Sequence, residues 1–530
     1  MDGSPATDVT RGHSLLWLGC ILGVGFVLRA TRMGDRSYWY DEGFSSKAIT
    51  FPWPEMVERV GRDTAPPLHY LLLKAWALVF GNSAMALRSL SVLLGELTIV
   101  GMYLFTREAF GENGRGGTTD DARSNRDRAT GMGLLVAALV AVSVFHIRWS
   151  CEARMYTLGT SLAAFSSWLL LRAVRAPRQR LGRWLAYAAT ALLFAYTQYY
   201  ALFSIAAQLL FVLGYIAVRA RWQPAAMLRD DRLWFSLLAL GLLVVGWLPW
   251  LPVFLGQKHQ VHENFWLSSI DWRTVANGWY QMFARSEDEI PSEEVALITA
   301  NLYVVTSLAL LWCAKSGEWL VFLSAWLPFA LSIGISTYDT PVFHTHYFIF
   351  AHLFFLTMIA VLVHRIRPTA ARRAATVAVL LGFLWVYRDY AAVGANRAEK
   401  PGARGAAAFL DSLRRPGEQV VVCSAMLTPT MEGHSRSREG WRTFVWGEYP
   451  HFQGTAVIRP GEYITLEELE GLRDARVWVI DTDRWNMGTY TIPMPSNWVR
   501  ARQWSFPEIY GDGCKILVCE YVKDASIGVR

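Results

Sequence analysis

Long apolar runs recur along this sequence and constrain its fold more than any other feature. A helix needs about 20 apolar residues to cross the hydrocarbon core of a bilayer. Hydrophobic residues make up 53% of the 530-residue chain, which is too apolar for an ordinary soluble enzyme. The sequence therefore predicts an α-helical polytopic membrane protein. Eleven runs are candidate transmembrane helices: 14–30, 86–106, 130–148, 157–174, 184–200, 201–218, 233–255, 295–314, 318–336, 347–364 and 374–393.

The positions of arginine orient these helices, because basic residues stay on the cytoplasmic side of short loops. The first run is followed by Arg29 and Arg32 and lacks a small-residue cleavage site, so we expect a retained anchor. The run at 66–81 contains Lys74 and is short for a span, so we expect an interfacial helix. With that choice the acidic loop 256–294 lies outside the cytoplasm. The basic loops at 107–128, 172–183, 219–232 and 365–373 then lie inside.

The composition changes near residue 394. Helix patterns (GARGAAAFLDSLRR and LEELEGLRD) alternate with strand patterns (EQVVVCSAM, ARVWVIDTD and CKILVCEYV), which predicts an α/β domain on the extracytoplasmic side. The six cysteines show no zinc-ligand spacing, and a disulfide from Cys423 to Cys514 or Cys519 stays open. The net charge of +7 is carried mostly by arginines that the topology explains, so no nucleic-acid partner is indicated.

This topology gathers polar segments from distant parts of the sequence on one side of the membrane. They are WYDEGFS with Asp41 and Glu42, RDTAPPLHYLLLK with Asp63, FHIRWSCEARMY with Glu152 and Arg154, and YDTPVFHTHYF. Ionisable groups at a membrane border are costly unless they are paired or solvated, so they are functional candidates. Adjacent acids such as Asp41 and Glu42 can cap a helix, bind a cation or accept a proton from a substrate.

Four motifs resemble, in order and spacing, the first third of the protein O-mannosyltransferase-like glycosyltransferases, family 39 and its bacterial relatives. The motifs are WYDEGFS, DTAPPLHYLLLKAW, GNSAMALRSLSVLLGELTIVGMYLFTREAFG and VFHIRWSCEARMYTL. The resemblance implies a GT-C fold that uses a polyprenyl-phosphate-linked sugar donor. It also implies a transmembrane catalytic domain at 1–393, with a first extracytoplasmic loop at 31–85 that holds the interfacial helix. The soluble α/β domain then occupies residues 394–530.

The resemblance also assigns roles to residues. Asp41 matches the acid proposed as catalytic base, with Glu42 beside it, Asp63 matches the acid before the PPL motif, and Glu152 and Arg154 match an EAR segment. Two positions depart from the family pattern. Ala65 stands where members often have His or Lys, and His346 with Tyr347 stands where many have Arg-Tyr, so a pH-dependent cation replaces a fixed one.

The chemistry of such a transfer fits these residue types. A carboxylate must accept the proton of the acceptor hydroxyl, for which Asp41 is the candidate, and a cation must meet the departing phosphate. A second acid, Glu152 or Asp63, would stabilise an oxocarbenium-like sugar, and two neighbouring acids would instead suit a divalent cation. The predicted catalytic set is therefore Asp41, Glu42, Asp63 and Glu152. The predicted phosphate- or substrate-binding set is Arg154, His69, Lys74, Tyr156, His346 and Tyr347.

Structural roles compete with each of these assignments. Asp41 and Glu42 also suit a helix start, Asp63 a helix cap, and Glu152 with Arg154 an ion pair. The sequence favours an inverting, multi-pass membrane glycosyltransferase of unknown acceptor, and its arginine- and alanine-rich composition without eukaryotic sorting signals favours a bacterial inner membrane. One alternative is a transporter or flippase, in which Glu96 and Gln208 inside predicted spans would line the transport pathway. The other is a non-catalytic binder of polyprenyl lipid.

Overall fold

The computed structural model describes residues 5–31, 33–34, 36–111, 119–263, 267, 269–284, 289–312, 314–398, 400–447, 454–485, 488–508 and 513–524. Arg32, Arg115, Glu287 and Asp288 of the predicted charged loops lie outside these residues. The chain folds into two compact units. Unit 1 comprises residues 1–31, 88–252 and 267–390, and unit 2 comprises residues 32–87, 253–266 and 391–530.

Helices form most of the described chain. In chain order they are α1 (Pro5–Ala30), α2 (Tyr40–Ala48), α3 (Trp53–Gly61), α4 (Leu68–Phe80), α5 (Ala84–Phe110), α6 (Thr119–Val142), α7 (Val144–Ser150), α8 (Tyr156–Val174), α9 (Leu181–Ala195), α10 (Ala201–Arg219), α11 (Pro224–Leu228), α12 (Asp231–Trp247), α13 (Leu251–Glu263), α14 (Trp272–Gln281), α15 (Glu293–Leu311), α16 (Ser316–Tyr338), α17 (Ile349–Arg365), α18 (Thr369–Ala398), α19 (Gly402–Leu413), α20 (Leu427–Glu432) and α21 (Leu466–Glu470).

Within the described residues, nine helical segments are long and apolar enough to cross a membrane, or ten if the bent pair α6 and α7 counts as one span. These ten correspond to ten of the eleven predicted spans. The predicted run at 184–200 extends past the end of the observed helix. Helix α9 has 15 residues and ends before a turn at Tyr196, so at about 1.5 Å per residue it is shorter than the roughly 30 Å hydrocarbon core.

The predicted interfacial segment is also a short helix. Helix α4 has 13 residues, which is likewise too few for a span of ordinary length. Gly81 ends it with a φ of 86°, a conformation that favours glycine. The position of α4 along the membrane interface remains a prediction.

A buried arginine stabilises the bend between α6 and α7 in unit 1. The two helices meet at 59°, and the last carbonyl groups of α6 have no partner within their own helix. Arg29 of α1 donates hydrogen bonds to the oxygens of Val140 and Ala141 at 3.0 Å each, and to Ser150 Oγ at 3.2 Å. Glu96 Oε1 of α5 lies 3.8 Å from the guanidinium. Arg29 therefore pairs with the backbone oxygens that the bend exposes.

Helix α17 is an enclosed span of unit 1. Most of its residues are buried, and its neighbours include α6, α8, α15 and α16. A helix that is apolar on all sides is suited to such a central position. Gln208 of α10, also within a span, accepts a hydrogen bond from the Tyr187 hydroxyl at 3.1 Å and donates to Ser166 and Ser167. Its polar groups are thus paired inside the bundle.

Unit 2 contains a mixed sheet. Its strands are β1 (Gln419–Val422), β2 (Trp441–Phe444), β3 (Tyr463–Ile464), β4 (Arg476–Trp485), β5 (Gly488–Tyr490), β6 (Trp498–Pro507) and β7 (Lys515–Lys523). Their order is β3-β2-β1-β4-β7-β6, with β5 paired to β4. Strands β1 to β4 pair in parallel, and β7 and β6 add antiparallel pairs. The α/β class, the helices α19 and α21, and the strands β1, β4 and β7 agree with the sequence patterns.

Unit 2 also includes the first loop of the sequence. Arg59 of α3 donates to the backbone oxygen of Ala456 at 2.9 Å, and Glu55 of the same helix pairs with Arg459 at 3.3 Å. Tyr40 of α2 belongs to the apolar core that the sheet and α20 share. The first loop and the C-terminal segment are therefore packed together.

The described cysteines form no disulfide. Cys423 follows β1 and Cys519 lies on β7, and strand β4 separates them. Two strand spacings are about 10 Å, beyond the roughly 7 Å limit between disulfide-linked Cα atoms. This geometry excludes a bridge between these two cysteines.

A buried carboxyl in the sheet makes unit 2 sensitive to pH. Asp481 of β4 accepts a hydrogen bond from the backbone N–H of Ile492 at 2.9 Å, and burial raises the pKa of its carboxyl to about 6. The ordinary value is 3.8, so the folded state binds the proton more tightly. Stability conferred by the neutral carboxyl is present below about pH 4 and is lost as pH rises towards 6.

We expect Asp481→Asn to stabilise the protein by roughly 2 to 3 kcal/mol above pH 6 and to have little effect near pH 4, since Asn keeps the acceptor but carries no charge. Thermal unfolding in one detergent, followed by tryptophan fluorescence from pH 4 to pH 8, measures the difference. Parallel pH profiles for the two proteins would contradict the expectation.

Candidate functional site

The segment SYWYDEGFS leads into α2. Asp41 and Glu42 lie in the first turn of that helix, where unpaired N–H groups favour carboxylates. Glu42 is fully buried, and its Oε2 accepts a hydrogen bond from the backbone N–H of Trp39 at 3.4 Å. This contact is the glutamate half of a capping box. Asp41 is only partly buried, so of the two acids it is the one that keeps an exposed surface.

Lys74 contacts the backbone next to α2. Its ammonium donates to the oxygens of Ile49 at 2.7 Å and Phe51 at 2.8 Å, and it lies 5.2 Å from the ring centre of Trp53. These contacts tie α4 to the turn between α2 and α3. The structure thus gives Lys74 a structural role beside its predicted role in substrate binding.

Asp63 lies in the turn after α3 and does not cap α4. Pro67 is the N-cap residue of α4, and no side chain caps that helix. The competing role of Asp63 as a cap is therefore not observed. His69, in the first turn of α4, is fully buried with its ring edge-on to Tyr70 at 5.5 Å. Ala65, which stands where the glycosyltransferases it resembles often have His or Lys, is buried as well.

Glu152 and Arg154 lie in unit 1, in the tight turn between α7 and α8. The backbone N–H of Arg154 donates to the oxygen of Glu152 at 2.8 Å, and both side chains are largely buried. The turn follows the bend that Arg29 stabilises. It presents an acid and a guanidinium at the junction of two spans, a place where ionisable groups are expensive to maintain.

Aromatic rings from distant positions meet next to this turn. Trp149, Tyr156 and His346 form a cluster with ring-centre distances of 4.4 Å, 4.9 Å and 5.3 Å. Tyr347 stacks on Tyr200 at 4.6 Å and contacts the His346 ring at 4.4 Å. The structure therefore brings together Tyr156, His346 and Tyr347, three of the predicted substrate-binding residues.

The predicted residues fall into two sets by unit. Asp41, Glu42, Asp63, His69 and Lys74 belong to unit 2, whereas Glu152, Arg154, Tyr156, His346 and Tyr347 belong to unit 1. Among the described residues, no group of three His, Cys, Asp or Glu side chains is arranged to hold a metal ion. The set in unit 2 supplies candidate proton acceptors, and the set in unit 1 supplies a guanidinium with an aromatic surround.

The sequence patterns did not indicate a largely buried ion network at the C-terminal end of α2. Lys47, in the last turn of α2, pairs with Glu432 and Glu462 of the C-terminal segment at 2.9 Å each. The two glutamates lie more than 380 residues away in sequence, and nothing local marks them as its partners. The only sequence feature that pointed to Lys47 is its position six residues after Asp41 in the same short segment.

Comparison with solved structures confirms the predicted GT-C fold. The chain is similar to ArnT from Cupriavidus metallidurans bound to undecaprenyl phosphate, with a TM-score of 0.59 and 12% identity over 96% of this chain and 98% of that one. It also matches the archaeal oligosaccharyltransferase AglB from Archaeoglobus fulgidus in complex with an inhibitory peptide and a dolichol-phosphate. That match has a TM-score of 0.46 and 12% identity over 80% of this chain and 64% of that one.

A third match is the S. cerevisiae protein O-mannosyltransferase Pmt1-Pmt2 complex bound to the sugar donor, with a TM-score of 0.33 and 15% identity over 49% of this chain and 37% of that one. No protein-family model and no curated protein sequence matches the chain. The similarity to ArnT extends over nearly all of both chains, and it identifies the fold of this multi-pass membrane protein.

We expect Glu42→Ala to lower the stability of the protein by about 1 kcal/mol, because the Trp39 N–H loses its acceptor. Glu42→Gln keeps an oxygen at that position and is expected to unfold close to the wild-type temperature. Thermal unfolding of the three proteins in one detergent tests this. Equal losses in both variants would show that the negative charge of Glu42, and not its hydrogen bond, holds the start of α2.

Proposed function

We propose that this chain is an inverting membrane glycosyltransferase that moves a sugar from a polyprenyl-phosphate-linked donor to an acceptor hydroxyl. The observation that carries the proposal is the fold shared along nearly the whole chain with ArnT, whose structure is bound to undecaprenyl phosphate. The partly exposed acid Asp41 on α2 and the buried turn with Glu152 and Arg154 support it. The acceptor is a hydroxyl of a protein, a lipid or an envelope glycan.

Asp41 is the proposed general base. As the acceptor oxygen bonds to the anomeric carbon, its proton passes to the Asp41 carboxylate, and the bond from that carbon to the phosphate oxygen breaks. The sugar is transferred with inversion, and polyprenyl phosphate leaves with the bonding electron pair. Glu152 or Asp63 would stabilise positive charge on the sugar ring. Glu42 contributes chiefly by holding the first turn of α2.

Arg154 is the proposed partner of the departing phosphate. Its planar guanidinium can make two parallel hydrogen bonds to phosphate oxygens, and burial strengthens such contacts. His346 and Tyr347 contribute a ring surface and further hydrogen-bonding groups, with Tyr156 packed beside them. Aromatic faces of this kind also suit contact with a sugar ring.

The transport alternative would require ionisable groups that serve a pathway within the spans. Arg29 and Glu96 do lie there, but Arg29 already bonds to the exposed carbonyls of the α6–α7 bend. Gln208 is likewise paired with neighbouring side chains. Arg29 and Gln208 have structural explanations, and Glu96 lies 3.8 Å from the Arg29 guanidinium, so none of the three favours transport over transfer. A non-catalytic lipid binder is distinguished from the enzyme by turnover.

The proposed membrane is a bacterial inner membrane, with the first loop and the C-terminal segment outside the cytoplasm. Because the loop at 107–128 is basic, we expect a cysteine introduced at Arg123 to resist a membrane-impermeant maleimide in intact cells and to react after lysis. A cysteine introduced at exposed Arg404 in unit 2 is expected to react in intact cells and serves as the control. Labelling of position 123 from outside would overturn this topology.

We expect purified wild-type protein to release polyprenyl phosphate from at least one member of a panel of polyprenyl-phosphate sugars with an acceptor mixture. Asp41→Asn should lower the rate at least 100-fold, because an amide cannot accept the proton. Arg154→Gln should lower it at least 10-fold, because the phosphate loses its charged partner. Chromatography of the released lipid measures all three.

Asp411→Asn is the matched control for the Asp41 variant, since Asp411 lies in unit 2 and bonds to Ser435 and Arg436. Equal release by wild type and Asp41→Asn would remove Asp41 from the mechanism. No release from any donor would favour lipid binding or transport instead. Repeating the assay with EDTA, and then with added Mg²⁺, tests a divalent cation: loss and recovery of turnover would support one, and unchanged turnover would exclude it.

A further inference from the structure

A buried ion network joins α2 to the C-terminal segment within unit 2. The Lys47 ammonium lies 2.9 Å from Glu432 Oε2 and 2.9 Å from Glu462 Oε2, and Lys47 and Glu432 are both at least 95% buried. A buried charge that loses its partner is strongly unfavourable. The position of the Lys47 end of α2 is therefore set by residues 432 and 462 rather than by the first loop alone.

Backbone contact fixes the middle of α2. A Cβ atom added to Gly43 would lie 2.5 Å from Thr430 Oγ1 and 2.7 Å from the backbone nitrogen of Thr430. Real side chains do not approach a backbone so closely, so α2 and α20 meet at a point where only glycine fits. Any larger residue would push the two helices apart.

A hydrogen bond and stacked rings hold the residues just before α2 against His434. The backbone N–H of Tyr38 donates to His434 Nε2 at 2.8 Å, and the Tyr38 ring stacks on the His434 ring with centres 4.5 Å apart. Ser37 Oγ lies 3.3 Å from the same nitrogen. Three separate contacts, at the start, middle and end of the segment, thus tie α2 to residues 430–462.

We propose that Lys47, Glu432 and Glu462 are positioning residues that hold α2, and with it Asp41, in place for the transfer reaction. The proposal rests on the proposed function and gives the C-terminal segment a role in orienting the base. Lys47 lies six residues after Asp41 on the same helix, about 9 Å along its axis. A shift of the helix at Lys47 would therefore displace Asp41, and a displacement of about 1 Å can reduce a rate by two orders of magnitude.

The test compares Lys47→Met with wild type in steady-state release of polyprenyl phosphate and in hydrogen–deuterium exchange of residues 38–50. We expect kcat to fall at least 10-fold while KM for the donor changes less than about threefold, because Lys47 orients the base without touching substrate. Exchange in residues 38–50 should increase. Glu432→Gln, which leaves Glu462 to pair with Lys47, should give a smaller effect in the same direction.

Glu418→Gln is the matched control. Glu418 lies in the same unit and bonds to Arg476 and Trp478 of the sheet, so its loss perturbs an ion pair that does not involve α2. We expect kcat and the exchange of residues 38–50 to be unchanged in this variant. The charge exchange Lys47→Glu with Glu432→Lys restores an opposite-charge pair between positions 47 and 432. It should recover part of the kcat that Lys47→Glu alone loses, which a general loss of stability would not predict.

Unchanged kcat and unchanged exchange in Lys47→Met, with an active wild type, would overturn the positioning proposal and leave the proposed function intact. Absence of turnover by wild type would instead overturn the proposed function. The exchange data alone then decide whether Lys47 docks α2, and unchanged exchange in Lys47→Met would contradict it.

Discussion

The hydrogen bonds of Arg29 to the end of α6 are the interaction on which the architecture of unit 1 depends. An arginine within a span is costly, and so are helix carbonyls without partners. The two costs offset each other, because the Arg29 guanidinium donates hydrogen bonds to the backbone oxygens of Val140 and Ala141 at the 59° bend. Gly95 makes room, since a Cβ there would lie 2.7 Å from Ser150 Oγ and 3.0 Å from Arg29 Nε. The bend carries the chain into the turn that holds Glu152 and Arg154.

The spans were predictable because hydropathy over about 20 residues is a local property. The predicted end was wrong at 184–200, because a turn at Tyr196 ends α9 five residues earlier. Strand β6 was missed for a related reason. Its side chains are mostly exposed and include Arg500 and Arg502, so it has no buried face to produce an apolar alternation. Local patterns predict elements that are buried along one face. They fail where tertiary contacts determine whether an element forms or where it ends.

The structure brings some of the predicted site residues together, and it does so through contacts that no local pattern indicates. The motifs selected Tyr156, His346 and Tyr347, and the structure brings their rings together. Nothing in the motifs indicated that Glu42 would bond to its own helix start, or that Lys47 would pair with glutamates from the C-terminal segment. Such partners depend on how distant segments pack against each other. Local hydrophobic periodicity in a single sequence does not indicate that packing.

The alanine at position 65 bears on which side chain would meet the phosphate of the proposed donor. Ala65 is buried and carries no charge, and Lys74 directs two of its three ammonium hydrogens to the oxygens of Ile49 and Phe51. A lysine so committed has little capacity left for an anion. A guanidinium offers five N–H donors in a planar fork and keeps its charge at every physiological pH. We therefore propose Arg154, and neither Lys74 nor position 65, as the partner of the phosphate, and an alanine at position 65 is compatible with the proposed transfer.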